Sequence, residues 1–279
     1  MHQDILNSLE KCHQDTTGRI EAVFRFDPCL ALFAGHFPGA PMLPGVVQIE
    51  MVRSLVERAE NRPLEINHIK KTKFLKPIVP GDQITVEIES CVKADGTSVT
   101  ARLSVGDVTA GTLRMTLGPT EMTLGPVEMT LGPKGSSEGG PMTAYPDVLD
   151  LIPHRPPFVM IDHILEITSD TIVAEKTFSE NDYGTRDRFV LEGILIEAAA
   201  QSVAAKQGYD HLDGQGDSGR GMLVSVGNLD FFSKAKASTP LGILVEKQTQ
   251  VGNFKILTVS ISQDKAAVAK GTIQLFVEP

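Results

Sequence analysis

The loop that decides the fold is Ala34-Gly35-His36-Phe37-Pro38-Gly39-Ala40-Pro41-Met42-Leu43-Pro44-Gly45, which runs without a break into Val46-Val47-Gln48-Ile49-Glu50. Glycine and proline flank His36 on both sides and predict a tightly held loop. Pro44-Gly45 then opens a segment with apolar residues at helical spacing. The stretch therefore predicts a histidine beside a helix N-terminus, where unpaired backbone N–H groups can polarise a carbonyl oxygen.

Around this loop, hydrophobic periodicity predicts one long helix among several strands. The segment 19–27 alternates apolar and polar residues as a half-buried strand does. The other predicted elements of the first half are a short helix over 4–13, a long helix over 46–60, and strands over 65–76, 83–93, 98–106 and 110–117. This order favours a sheet wrapped around a single central helix.

An internal repeat separates two similar halves. Copies of Met-Thr-Leu-Gly-Pro begin at Met115, Met122 and Met129, and regularly spaced glycine and proline suit neither helix nor strand. We therefore predict a first domain over 1–118, a linker over 119–143 and a second domain over 144–279. The second half repeats the pattern, with predicted strands over 171–179, 222–232, 242–251, 255–263 and 267–277.

The His36 loop resembles the fingerprint of the beta-hydroxyacyl-acyl carrier protein dehydratase family, hot-dog fold enzymes of fatty acid synthesis. That fingerprint is His-Phe-Pro-Gly, a short bridge, Pro-Gly-Val and a helix with an acidic residue. Here the helix carries Glu50, and the separation of 50 − 36 = 14 positions is that of the family's histidine and carboxylate. The run 74–83, Phe-Leu-Lys-Pro-Ile-Val-Pro-Gly-Asp-Gln, resembles the family's second motif.

The second half resembles the same family. The run 151–162, Leu-Ile-Pro-His-Arg-Pro-Pro-Phe-Val-Met-Ile-Asp, is similar to the family's amino-terminal segment, which the first half lacks. The run 191–201 is similar to its central helix, with a Glu-x-x-x-Gln pair at Glu197 and Gln201. The resemblance implies an α+β double hot-dog, in which each repeat is an antiparallel sheet wrapped around a central helix.

The two halves differ at the positions that carry chemistry. If Glu197 is aligned with Glu50, the position of the histidine, 197 − 14 = 183, is Tyr183, and Glu192 replaces Gly45. The family's sites lie between two units, so the resemblance implies one composite site and one inactive site with Tyr183, Glu192 and Glu50. The residues expected at the composite site are His36, Gly45 and Glu197 as catalytic groups, and Phe37, Pro38, Gly39 and Gln201 as binding or orienting groups.

The family's reaction is dehydration of a 3-hydroxyacyl thioester to a trans-2-enoyl thioester. A neutral His36 would take the proton beside the thioester carbonyl, and the Gly45 N–H would stabilise the charge on its oxygen. Glu197 would protonate the leaving hydroxyl, provided that apolar surroundings raise its pKa. A scheme in which one group makes both proton transfers stays open. We expect no metal and no organic cofactor.

Composition limits the partners and the compartment. The formal net charge of −9 argues against a general nucleic-acid binder, and no signal peptide or membrane-spanning segment is predicted, so cytoplasm is the expected location. The widely spaced Cys12, Cys29 and Cys91 are expected to be reduced, partly buried thiols. Two fused chains could pair further, as hot-dog units commonly do.

The expected partner is acyl carrier protein, which is acidic and needs a basic patch on this chain. The candidate lysines are Lys70, Lys71, Lys73 and Lys76, with Lys234 and Lys236 in the second half. The alternative is that these lysines protect an exposed strand edge.

Two rival functions stay open beside dehydration. One is a hot-dog acyl thioesterase, which would not need the His-Phe-Pro-Gly loop. The other is a non-catalytic acyl-thioester-binding protein, suggested by the degenerate second half. The product of the pathway stays open among fatty acids, polyketides and other acyl compounds.

Overall fold

The computed structural model describes residues 1–94, 96–119, 145–214 and 221–277. The first half comprises α1 (His2–Asn7), β1 (Leu9–Gln14), β2 (Ile20–Arg25), α2 (Ala31–Gly35), α3 (Gly45–Glu60), β3 (Glu65–Phe74), β4 (Gln83–Lys93), β5 (Gly96–Val105) and β6 (Val108–Gly118). The second half comprises α4 (Val148–Leu151), β7 (His163–Ile167), β8 (Thr171–Lys176), β9 (Thr185–Arg186), β10 (Phe189–Val190), α5 (Glu192–Leu212), β11 (Gly221–Phe231), β12 (Ala235–Lys236), β13 (Leu241–Val251), β14 (Phe254–Gln263) and β15 (Ala266–Val277).

One antiparallel sheet of twelve strands runs through both halves. Its order is β1-β2-β4-β5-β6-β3-β11-β15-β14-β13-β8-β7, and a small second sheet has the order β12-β10-β9. The halves meet where β3 pairs with β11, with Lys73 opposite Ser225 and His68 opposite Asp230. Because this pairing is continuous, the two repeats form one sheet and their central helices lie side by side.

The two central helices fill the space that the sheet encloses. Over the first half of β4 and of β13, every second side chain is buried, as the period of two requires. Helix α3 is buried at every position from Val46 to Glu57, and α5 is buried along most of its first three turns. The two helices contact each other. Polar side chains at these positions must therefore find partners inside the protein.

The architecture confirms the predicted α+β class, and the long helix and the main strands lie where the periodicity placed them. The predicted helix over 4–13 is wrong in its second part, because residues from Leu9 onward form β1 and pair with β2. The three cysteines are exposed, not partly buried. The predicted linker, 119–143, lies outside the described residues except for its first residue. Among the described helices, none has the length and apolar character needed to cross a membrane.

Candidate active site

His36 is held at the end of α2 by its own loop. Its ring Nδ1 lies 3.0 Å from the carbonyl oxygen of Met42, and the Met42 amide donates to the His36 carbonyl at 2.9 Å. Because a carbonyl only accepts, Nδ1 carries the hydrogen and Nε2 keeps a free lone pair. Burial, helped by the charge of His154, lowers the pKa of His36 against the opposing effect of Glu197. The ring is therefore neutral near pH 7 and suited to accept a proton.

Glu197 lies on α5 and is buried. Its Oε1 accepts a hydrogen bond from Gln201 Nε2 at 3.0 Å and faces His154 Nε2 at 3.4 Å. Burial acts to raise the pKa of Glu197, but the hydrogen bond from His154, the charges of the two histidines and the bond from Gln201 outweigh it and lower the pKa. The condition that apolar surroundings raise this pKa is therefore not met, and the resting group is a carboxylate.

Gln201 fixes the position of the Glu197 carboxylate. Its amide nitrogen also donates to the Phe158 carbonyl at 3.0 Å, and its amide oxygen accepts from the Met160 N–H at 2.8 Å. These contacts tie α5 to the segment that precedes β7. They support an orienting role for Gln201.

His154 is the residue at this site that sequence reasoning missed. It is buried in the segment between α4 and β7, and donor atoms of His36, His154 and Glu197 all lie within 4.8 Å of one another. The His154 ring lies 5.4 Å from that of His36 and 4.7 Å from that of Phe37, between centroids. Three such atoms at this spacing could hold a metal ion, and His154 and Glu197 also face each other at hydrogen-bonding distance. A histidine set between Pro153 and Pro156 was the available signal.

Gly45 begins α3, so its amide belongs to the first turn, where the helix offers no partner. A Cβ at this position would lie 2.9 Å from ring carbons of Phe74. Glycine is therefore required for the close approach of α3 and the end of β3. Gly45 and Phe74 both line the cavity that contains His36 and Glu197.

His36, His154 and Glu197 line a cavity of about 170 Å³ between the two halves, which we call the reacting cavity. A neighbouring space of about 550 Å³ shares Phe37, Met42 and His154 with it and is also lined by Pro38. Phe37 thus lines both spaces, and Pro38 lines the larger one. Gly39 lines neither space. With a φ of +80°, which glycine adopts without strain, it forms the turn of the loop.

Tyr183, Glu50 and Glu192, the residues of the predicted inactive site, each contact other groups of the protein. Tyr183 donates to Asp4 at 2.7 Å, and Glu50 is ion-paired with Arg53 at 2.6 Å while accepting from the Gly193 N–H at 3.3 Å. Burial first, and then a hydrogen bond with Glu65, raise the pKa of Glu192 well above its usual value. The structure therefore brings His36 to Glu197 and leaves Glu50 in a structural ion pair.

The candidate docking lysines lie in two places. Lys76, which follows β3, lines the reacting cavity, whereas Lys71 and Lys73 lie on β3 in a separate concavity. That concavity also contains Arg19, Arg102 and Arg114, with Glu87 and Glu89. Lys70 is exposed on the same strand. Strand β3 lies in the middle of the sheet, so the alternative of an edge protected by lysines is wrong for Lys70, Lys71 and Lys73.

In the second half, Lys234 forms a 2.6 Å ion pair with Glu65, on β3 of the first half. It also lies 4.6 Å from the ring centroid of Phe189. Lys236 belongs to the small sheet, opposite Phe189. Lys234 is therefore already engaged within the chain, and we do not count it as a docking group.

Comparison with protein families gives one dehydratase match for each half. Residues 11–110 match the ApeI-like family, described as ApeI dehydratase, and residues 146–279 match the ApeP-like family, described as ApeP dehydratase.

Curated relatives match shorter stretches. The 3-hydroxyacyl-[acyl-carrier-protein] dehydratase FabZ of Granulibacter bethesdensis is 42% identical over 66 residues, 20% of this chain and 39% of the relative. FabZ of Chlamydia trachomatis serovar L2 is 35% identical over 97 residues, 30% of this chain and 63% of the relative. The chain thus spans less than two thirds of the length of these relatives.

Two solved structures share the whole architecture. The dehydratase domain of PpsC from Mycobacterium tuberculosis, in complex with C12:1-CoA, has a TM-score of 0.67 at 14% identity, covering 97% of this chain and 98% of that one. The dehydratase domain of RzxB from Pseudomonas fluorescens has a TM-score of 0.67 at 13% identity, with the same coverage. At this identity the likeness shows a shared double hot-dog fold.

Proposed function

Because the chain belongs to the hot-dog dehydratase family, with an ApeI-like first half and an ApeP-like second half, we propose that it converts 3-hydroxyacyl thioesters to trans-2-enoyl thioesters and water. The observation that carries this proposal is a neutral histidine and a buried carboxylate in one cavity, His36 from the first half and Glu197 from the second. Elimination of water needs one proton to be removed from the substrate carbon and one to be delivered to the leaving oxygen.

Proton removal falls to His36. Its Nε2 lone pair takes the C2 proton of the substrate, while Nδ1 stays bonded to the Met42 carbonyl and holds the ring. The thioester oxygen gains charge in this step. The first amides of α3, beginning with Gly45, are the donors proposed to stabilise that oxygen, with the N-terminal end of the helix dipole behind them.

Glu197 is the residue proposed to assist departure of the hydroxyl. The oxygen leaves as water only if it gains a proton, and Glu197 is the proposed last donor in that transfer. Its lowered pKa means that the carboxylate is ionised at rest. The proton must therefore reach Glu197 from a neighbouring group during the reaction.

The carrier is proposed to be acyl carrier protein, which the names of the FabZ relatives specify for those enzymes. Lys76 lines the reacting cavity and could receive the phosphate of a carrier's prosthetic arm. The cationic side chains of β3, β5 and β6 could hold the acidic carrier surface. The substrate could belong to a fatty acid or a polyketide pathway, and pairing of two fused chains stays a prediction.

A three-substrate assay tests the proposal. The full chain is given 3-hydroxyacyl, trans-2-enoyl and saturated acyl thioesters, and both enoyl absorbance and free thiol are recorded. We expect enoyl absorbance from the first substrate and its loss, by hydration, from the second. Release of thiol from the saturated substrate would instead identify a thioesterase, and binding without turnover of any substrate would identify a non-catalytic binding protein.

A further inference from the structure

The roles proposed for the base His36 and the carboxylate Glu197 do not explain why a second histidine, His154, lies beside them. Its Nε2 faces Glu197 Oε1 at 3.4 Å, so this nitrogen carries the hydrogen of the contact. Its Nδ1 is buried and has no hydrogen-bond partner among the residues that the structure describes. A buried polar atom without a partner is costly and calls for a functional explanation.

The position of His154 between two spaces suggests that explanation. It lines both the reacting cavity and the larger neighbouring space. One ring nitrogen thus faces the carboxylate, and the other has no hydrogen-bond partner in the part of the chain that the structure describes. An imidazole arranged in this way can gain a proton at one nitrogen and release another from the opposite nitrogen.

We propose that His154 supplies the proton that leaves with water, acting through Glu197 as one proton-sharing pair. This inference rests on the dehydratase function proposed above and deepens it. His154 is a proton-supplying and positioning residue in this scheme, whereas His36 and Glu197 contact the reacting atoms.

The protons and electrons of the step balance. Before reaction His36 is neutral. The His154–Glu197 pair carries one extra proton, counted from a neutral imidazole beside a carboxylate. His36 takes the C2 proton, the C2–H electrons form the C2=C3 bond, and the C3–O bond breaks toward oxygen. His154 Nε2 passes a proton to the Glu197 carboxylate, and Glu197 passes that proton on to the leaving oxygen. Afterwards His36 holds the extra proton, the pair has lost one, and exchange with water restores both.

Charged groups around the pair set the conditions for this transfer. His36 and Lys76 face it within the reacting cavity. Asp150, Arg155 and His211 line the neighbouring space. When His36 becomes positive, it repels a proton held nearby on His154, so proton uptake by one histidine favours proton release by the other.

The first test compares His154→Gln with wild type in the full chain. Glutamine can still donate a hydrogen bond to Glu197 but cannot carry an extra proton. We expect kcat to fall about 100-fold, the size of effect that a lost proton-transfer group has, with little change in KM. The alkaline limb of the kcat–pH profile should also shift, because it then reports the titration of Glu197 alone and no longer that of the pair. His163→Gln, at an exposed histidine on β7, is the matched control and should behave as wild type.

Two results of this test would overturn the inference. An unchanged kcat and pH profile would show that no proton passes through His154. An even loss of activity at every pH, without a shift of the alkaline limb, would show a merely structural role.

A second measurement does not depend on turnover or on the variant being folded well. In wild type, the His154 ring nitrogens and the Glu197 carboxyl carbon are followed by NMR during a pH titration. We expect both signals to respond to the same titration steps, as members of one pair do. Independent titration of the two groups would contradict the inference. Coupled titration in a chain that is inactive on 3-hydroxyacyl thioesters would keep the pair and reject the proposed function.

Discussion

A ring nitrogen of His36 and a carboxylate oxygen of Glu197 lie within 4.8 Å of each other across the junction of the two halves. The corresponding carboxylate of the first half, Glu50, is paired with Arg53. The chain has thus placed one base and one carboxylate in a single cavity, although its two halves are similar in architecture. The first half contributes His36, where the second half has Tyr183. The second half contributes Glu197, whereas its counterpart Glu50 is ion-paired with Arg53.

Removing the Glu50 carboxylate should affect stability and leave catalysis intact. Glu50→Ala would leave the buried Arg53 guanidinium with less compensation, and we expect the free energy of unfolding to fall by about 3 kcal/mol. Denaturant unfolding measures this change, and kcat should stay near that of wild type at a temperature where both are folded. A large loss of kcat with unchanged stability would place Glu50 in the reaction.

Adding a methyl group at Gly45 should impair the reaction. In Gly45→Ala the new Cβ would meet the Phe74 ring at 2.9 Å and displace either the ring or the start of α3. We expect kcat/KM to fall about 100-fold, because small displacements of reacting groups have effects of that size. Gly193→Ala, at the start of α5, is the matched control, since its Cβ would meet Glu50 and Val46 at 3.2 Å, away from the reacting cavity. Equal losses of kcat/KM in both variants would argue against a special role for Gly45.

Glu192 should make the folded protein less stable in alkaline solution. Burial and its hydrogen bond with Glu65 raise its pKa well above the ordinary value of about 4.5, so the folded state binds this proton more tightly than the unfolded chain. The stabilisation is complete below the ordinary pKa and is lost as pH rises through the raised one.

Glu192→Gln tests this pH dependence. Glutamine imitates the protonated carboxyl group, because its oxygen can accept from the Ile66 N–H and its N–H₂ can donate to Glu65. We expect Tm at pH 8 to rise relative to wild type, with a smaller difference at pH 5. The same Tm difference at both pH values would show that Glu192 is ionised in the folded protein throughout.

The cationic face of β3 should matter only for substrates attached to a carrier protein. Reversing two charges in Lys71→Glu/Lys73→Glu should raise KM for an acyl carrier protein substrate and weaken its dependence on salt, because opposite charges attract over several ångströms in dilute salt. The small thioester of N-acetylcysteamine should be turned over as by wild type. Lys247→Glu/Lys265→Glu, in the second half, is the matched control. An equal KM increase in both double variants would indicate a general effect of charge.

The sequence predicted the central parts of the fold because they carry strong local patterns. The alternation on β4 and the length of α3 follow directly from the order of apolar residues. Strand β1 carries no such pattern, since almost all its side chains are exposed, and its pairing with β2 decides its conformation. The two-residue strands β9, β10 and β12 are too short to show a period.

The candidate site was predictable only in part, for a related reason. Comparing the halves directs attention to Glu197 and away from Glu50, but it cannot show His154, because the first half has no equivalent segment. The apolar neighbours of Glu197 suggest a raised pKa. Its hydrogen bonds from His154 and Gln201 reverse that direction, and one of these comes from a residue 43 positions away. Electrostatics at a buried group depends on such distant contacts.

The most direct measurement is the rate of enoyl-thioester formation from one 3-hydroxyacyl-carrier substrate by wild type, His36→Ala, Glu197→Gln and Glu50→Gln. The composite site predicts that the His36 and Glu197 variants lose nearly all activity, while Glu50→Gln keeps it. Loss of activity in Glu50→Gln with survival of Glu197→Gln would contradict the pairing of His36 with Glu197.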